Sequence, residues 1–283
     1  MKYSILLSTL ILISNIIFGQ IKAPDASPAA TIIQNVGFTK VTLEYSRPQL
    51  KGRDMFADLT REGEVWRTGA NMSTKLTLSE EITVEGNAIA AGEYSIYSIP
   101  GKKEWTIIIN KKVSWGTQYD ESEDLLRFNV PTQKSAGKVE SFAFYFDDVT
   151  EESGTLGFAW GNAKVEMKLE SPTHEKVLAM IDKTMANLDD AGNGDFYAAS
   201  NYYLEKGLDS KKALTWANEY VKRESDKYWG YRLQARALAA NGKYQEAIDS
   251  ANKSTEMAKE AGNMDYVYNN GKSVEEWKKA MAK

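Results

Sequence analysis

From about Ala29 to Leu169, apolar and polar residues alternate in short runs: Val41, Leu43 and Tyr45; Leu76 and Leu78; Phe142, Phe144 and Phe146; Leu156, Phe158 and Trp160; Val165, Met167 and Leu169. A period of two sends successive side chains to opposite faces, so these runs predict half-buried strands of an antiparallel sheet. Trp105 to Ile109 is apolar without a break and is expected as a central strand buried on both faces. Turn signals separate the runs. Glu85-Gly86-Asn87 divides two short strands, Pro100-Gly101-Lys102-Lys103 divides Glu93–Ile99 from Trp105–Asn110, and Gly161-Asn162 reads as a two-residue hairpin turn. Roughly eight to ten such strands predict a β-sandwich or jelly-roll-like domain.

After Ser171-Pro172-Thr173 the period changes. Val177, Leu178, Ile181, Met185 and Leu188 share one helical face, and Thr173 is placed to cap that helix. Further on, Ala213-Leu214 and Ala217 recur as Ala247-Ile248 and Ala251, and Leu204 recurs as Leu238. The offset of about 34 residues is the period of the tetratricopeptide helix pair. Gly207 and Gly242 stand between the helices of each pair, and Ser254 replaces the usual late alanine. A third unit begins near Met264, with Ser273 and Glu276 reading as a capping box for the last helix. Residues from about 194 onward therefore resemble a short tetratricopeptide array. The expected organisation is α+β in two domains, with a β-sandwich-like domain over residues 23–170 and a helical domain over 171–283. An array of fewer than about three repeats leaves faces uncovered. These helices are thus expected to dock on the β domain or to hold a protein or peptide partner. Tyr202, Tyr203, Trp216, Tyr220, Tyr228, Trp229 and Tyr231 crowd this region, and helical spacing places most of them in the core.

The first residues add a compartment. Lys2 followed by the apolar stretch Ile5 to Phe18 has the form of a secretory signal peptide over residues 1–19. It is too short, and too interrupted by Ser8, Thr9, Ser14 and Asn15, for a stable span of about 20 residues. Gly19 suits the position before the cut, although Ile17 is large for the position two before it. An uncleaved anchor is the alternative. The chain has no cysteine, which excludes lipid attachment, disulfides, thiol nucleophiles and thiolate metal sites. The mature protein is expected to be periplasmic or secreted, with no membrane span after cleavage. Its net charge of -4 gives no basic footprint for nucleic acid.

Two long connections fit neither period. Ser46 to Ser73 carries Arg47-Pro48, Gly52-Arg53 and Val65-Trp66-Arg67-Thr68-Gly69-Ala70-Asn71, and Asn110 to Glu123 carries Trp115-Gly116 and Tyr119. Loops of this length are functional or disordered, and their aromatic residues argue against disorder. These blocks occur together with Tyr45-Ser46, Thr74, Gly92-Glu93-Tyr94-Ser95, Ile99-Pro100-Gly101, Glu104-Trp105-Thr106 and Asn110. In that combination the chain resembles the family catalogued as domain of unknown function 2911, over about residues 23–169. Ala57 after Phe56 departs from the glycine that family members often have there. The resemblance implies an exported bacterial protein, in some members with helical repeats after the β domain, and it implies no catalytic residues.

The candidate site residues are Arg47, Arg53, Trp66, Arg67, Asn71, Thr74, Trp115 and Tyr119. Two arrangements satisfy the arginines. They can line a pocket for a carboxylate or phosphate, which a guanidinium grips through two parallel hydrogen bonds. Alternatively they pair with Glu44, Asp54, Glu62 or Glu64 and lock the loop, with Trp66 in the core. Trp66, Trp115 and Tyr119 can supply flat walls for a sugar or an aromatic ligand. Asn71 either meets a ligand or bonds its own turn backbone. His174, the single histidine, is expected to be exposed and supports neither a triad nor a histidine metal cluster. The acidic clusters at Asp120 to Asp124 and Asp147 to Glu152 lack calcium-loop spacing. No cofactor or metal is expected. The function read from the sequence is non-catalytic binding in the cell envelope, with a glycan or small anionic ligand on the β domain and an envelope protein or peptide on the helices. The alternatives are a carboxylate-dependent hydrolase acting on a glycan and a structural spacer. N-terminal sequencing of the protein recovered from the envelope fraction should begin at Gln20. Retention of Met1 would identify an anchor instead.

Overall fold

The computed structural model describes residues 23–282, so the expected signal peptide lies outside the described residues. The chain divides into two compact units, Met1–Thr173 and His174–Lys283. Among the described residues the first unit holds ten strands: β1 (Ala29–Val36), β2 (Thr39–Ser46), β3 (Thr74–Leu78), β4 (Ile82–Val84), β5 (Asn87–Ile89), β6 (Gly92–Ile99), β7 (Glu104–Asn110), β8 (Asp124–Pro131), β9 (Gln133–Asp147) and β10 (Ser153–Glu170). They form a six-stranded sheet in the order β1-β2-β3-β6-β7-β8 and a four-stranded sheet in the order β5-β4-β10-β9. Every pairing is antiparallel.

Alternation decides which side chains meet. Val41, Leu43, Tyr45, Leu76, Leu78, Ile96, Trp105, Ile107 and Ile109 come from the larger sheet. Ile82, Val84, Ile89, Phe142, Phe144, Leu156, Phe158, Trp160, Val165, Met167 and Leu169 come from the smaller one, and all belong to one buried cluster. Two sheets sharing a core in this way make a sandwich. At its centre Phe142 and Phe144 lie edge-on to Tyr45 and to each other, with centroids 5.0–5.9 Å apart. β7 lies between β6 and β8, as its unbroken apolar run predicts. Its outward Ile108 and the cross-strand partner Tyr97 are both buried. Glu85 and Gly86 form the expected tight turn between β4 and β5, both with positive φ.

One turn is a bulge instead. β10 runs unbroken through Gly161-Asn162, and the register against β9 shifts on either side of Gly161. Gly161 has φ +59°, a conformation in which an extra residue can be inserted without ending the strand. The hairpin reading failed because a hairpin turn and a bulge call for the same glycine.

The second unit holds α1 (Thr173–Met185, its first residue at the boundary), α2 (Asn193–Glu205), α3 (Ser210–Arg223), α4 (Tyr228–Ala240), α5 (Tyr244–Glu260) and α6 (Met264–Met281). From α2 onward each helix packs on the next, and α4 also touches α2 and α6. Ala213, Ala217, Ala235, Ala237, Ala247 and Ala251 are essentially inaccessible and let the helices approach closely. Gly230 belongs to the same device, since a Cβ there would stand 2.7 Å from the Tyr220 ring. Three buried serines donate across helices: Ser200 to Ala213 O, Ser250 to Tyr231 O and Ser254 to Tyr228 O, at 2.8–2.9 Å. Tyr203, Trp216, Tyr220 and Tyr231 are buried, whereas Tyr202, Tyr228 and Trp229 are half-buried.

Two local expectations are corrected. α6 continues through Ser273 and Glu276, so that pair caps nothing. Inside a continuous helix the amide groups already have intrahelical acceptors, and burial of Val274 against Ile248 and Ala251 holds this stretch in the helix. His174 is not a free surface residue either, because its Nδ1 lies 2.8 Å from the Tyr202 hydroxyl and the two rings stack.

Candidate functional site

The Val65–Asn71 block is built from the sheet outward. Trp66 exchanges two main-chain hydrogen bonds with Ser98 of β6, 2.7 and 2.8 Å long. Its ring enters the core, stacking on Trp160 with a 13° interplanar angle and meeting Phe142 and Trp105 edge-on. The chain then leaves the sheet and returns at Thr74. The base of this excursion is closed by Thr74 Oγ1, which donates to Thr68 O at 2.6 Å, and by Thr74 N, which donates to Arg67 O. Thr68 and Asn71 have positive φ, the left-handed conformation that reverses the chain. The second long connection folds against the first. Met72 bridges Trp115, Ser73 N and Oγ both donate to Ser114 O, and Gly116 N donates to Asn71 O. Over the outer face of β6, Ser95 meets Ser73, and Tyr97 meets Ser114 and the Tyr119 ring. These contacts bury that face.

The three arginines follow neither expected arrangement. Arg47 Nε donates to Phe142 O at 3.0 Å, Arg53 donates to Leu50 O and Gln49 O at 2.9 Å each, and Arg67 Nη1 donates to Asn71 O at 3.1 Å. Each guanidinium holds main-chain carbonyls. The carboxylates expected beside them are engaged elsewhere: Glu44 with Lys75, Glu62 with Lys102, Glu64 with Arg61, and Asp54 with the amides of Phe56 and Ala57. Nor do the arginines share a pocket. Arg47 braces β9 and Arg67 lies on Gly116, whose hypothetical Cβ would stand 2.4 Å from Arg67 Cδ. Arg53 lines a cleft.

The aromatic trio is likewise divided. Trp66 is core, Trp115 is 49 % exposed beside Met72, and Tyr119 is half-buried in a polar cluster. The Tyr119 hydroxyl donates to Asp124 Oδ2 at 2.7 Å and accepts from Arg127 Nη2 at 2.5 Å, while Arg127 also pairs with Asp124 and Glu121. Burial and then the bond to Asp124 push this hydroxyl up from about 10 to about 12. The Asn71 amide donates to Ser46 Oγ at 3.3 Å rather than to its own turn. Thr74 is fully buried.

A cleft of about 480 Å³ lies at the bulge and the β8–β9 corner. Leu50, Met55, Phe56 and Ala163 supply apolar lining, and Arg53, Lys102, Lys134 and Lys138 supply four cations against the single carboxylate of Asp54. That carboxylate is committed to capping the short helical turn Met55–Thr60. Lys134 and Lys138 form no ion pair among the described residues and are exposed. The sequence reading missed this cleft. Its lysines come from the β6–β7 turn and from β9, and only the sandwich brings them near Arg53.

Arg67 and Gly116 form a tight pair. Arg67→Ala should destabilise the chain by about 1.5–3 kcal/mol, the range for a hydrogen bond from a charged group. Gly116→Ala should cost about 1–3 kcal/mol by overpacking, and far less once Arg67 is already alanine. Urea unfolding of the two single variants and the double variant checks this, with additive losses ruling out the contact. The pH dependence has a defined sign. The folded pKa of Tyr119 lies above its unfolded value, so its contribution is complete below about pH 10 and is lost as pH rises toward about 12. Tyr119→Phe should flatten the decline in unfolding free energy across that window, and an unchanged slope would contradict the assignment.

No curated protein and no solved structure matches the chain. One family model, described as a protein of unknown function (DUF2911), matches residues 27–169. That span begins just before β1 and ends within β10, so it takes in both sheets, the arginine-bearing connection and the cleft. With more than half of its length inside the match, the chain belongs to the DUF2911 family.

Proposed function

We propose that this protein is an exported, non-catalytic binding protein of the cell envelope, and that its β unit takes an anionic ligand with an apolar part. The observation that carries this reading is the cleft beside Arg53, with an apolar lining and a basic rim. Lys102 pairs with Glu62, which leaves Arg53, Lys134 and Lys138 facing one already committed carboxylate, and cations at the mouth of a cleft attract anions. Leu50, Met55 and Phe56 offer surface to the uncharged part of the ligand. Export is supported by Lys2 and the apolar run Ile5 to Phe18. A protein-binding role for the helical unit is supported by the tetratricopeptide-like offset between α2–α3 and α4–α5.

A fluorescent probe with the same two features, 8-anilinonaphthalene-1-sulfonate, tests the cleft. The full chain should bind it, and the joint substitution Lys134→Ala, Lys138→Ala should weaken binding by about tenfold or more. Stability should stay within about 0.5 kcal/mol, since both side chains are exposed. Added salt should weaken binding of the unsubstituted chain in the same direction. Equal affinity in the two proteins would place the probe elsewhere and sink the reading.

A further inference from the structure

The helical unit contains a second concentration of uncompensated positive charge. Arg232 and Arg236 lie four residues apart on α4, and therefore on one face. They reach to opposite sides. Arg236 Nη1 donates to Asn201 Oδ1 of α2 at 2.7 Å, and Arg232 Nη1 donates to Asn270 Oδ1 of α6 at 2.7 Å. Both acceptors are neutral amides, and each is fixed from its far side. Asn270 is buried and donates to Ser254 Oγ, which donates in turn to Tyr228 O. Asn201 donates to Glu205 Oε1, so the nearby carboxylate is held by the amide and not by an arginine. Among the described residues neither arginine forms an ion pair.

Two like charges at this spacing repel, and a fold that needed them only as braces would gain by pairing them with carboxylates. The burden is visible in the titration of Arg232, lowered first by burial and then by the Arg236 charge. Tyr197 of α2 and Tyr266 of α6 flank the pair. The Arg232 guanidinium lies 6.0 Å from the Tyr266 ring centroid, and the Tyr197 hydroxyl, held neutral chiefly by burial, interacts with Tyr266 and Arg236. Arg232, Arg236, Tyr197 and Tyr266 are all half-buried, so the cluster is desolvated yet reachable. Each guanidinium keeps most of its N–H donors for a further acceptor.

We propose that Arg232 and Arg236 form a carboxylate-binding site between α2 and α6, with Tyr197 and Tyr266 as its flanking walls. A carboxylate seated between α2 and α6 can accept from a guanidinium fork, and its charge compensates a pair that the fold leaves without a carboxylate partner. The carboxylate can belong to a peptide terminus or to a small free acid. The site is independent of the β-unit cleft.

Isothermal titration of the full chain distinguishes the sources. The probes are a five-residue peptide with a free C-terminal carboxylate, its C-terminal amide, succinate and inorganic phosphate. The peptide acid or succinate should bind, and whichever binds more tightly identifies the source; the amide should not. Arg232→Met and Arg236→Met should each weaken binding by about tenfold or more. Should either methionine variant fail to fold, Arg232→Lys and Arg236→Lys retain the charge but not the fork and should still weaken binding. The proposal is overturned if no acid binds at millimolar concentration, if the variants bind as well as the unsubstituted chain, or if phosphate binds more tightly than either carboxylate.

Discussion

Main-chain carbonyls must find donors wherever the chain leaves a sheet, and in the β unit arginine side chains meet that requirement. The chain departs from β2 after Ser46, crosses to β9 through Pro48–Leu50, and departs again at Thr68 before β3. Each departure exposes carbonyls to a partly dry environment, where an unsatisfied group costs about 1–3 kcal/mol. Arg47 closes one at Phe142, Arg53 two at Gln49 and Leu50, and Arg67 one at Asn71. A guanidinium suits this task because its donors are rigid and many. The two-sheet core, with Trp66 stacked on Trp160, depends on these crossings being held in place.

This arrangement has an electrostatic consequence. An arginine bonded to carbonyls keeps its full charge, whereas one paired with a carboxylate is neutralised. The carboxylates expected beside Arg47, Arg53 and Arg67 pair with lysines and with Arg61, or cap a helical turn. The acidic chain therefore carries local positive charge at the Arg53 cleft. In the helical unit the same preference appears with amides in place of carbonyls, at Asn201 and Asn270. At both sites the arginines satisfy neutral acceptors and keep their charge.

Much of the architecture was legible along the chain. Alternation located β2, β3, β9 and β10, and the unbroken run at Trp105 marked a strand interior to its sheet. The alanine offset located α3 and α5, because close helix packing needs small residues at fixed spacing. The local misreadings share one cause. Gly161-Asn162 and Ser273 with Glu276 are signals that two conformations accept equally well, and long-range packing chose between them.

The sequence by itself determined the class of each half, the change of period at Ser171-Pro172-Thr173, and the residues that had to be inside. Those are properties of local periodicity, which needs no partner to be read. Only the tertiary structure decided what the arginines hold, which aromatic rings stay exposed, and which lysines join Arg53. The reason is geometric. A side chain's hydrogen-bond partner is set by where the main chain turns, and those turns bring together residues such as Arg47, just past β2, and Phe142 of β9.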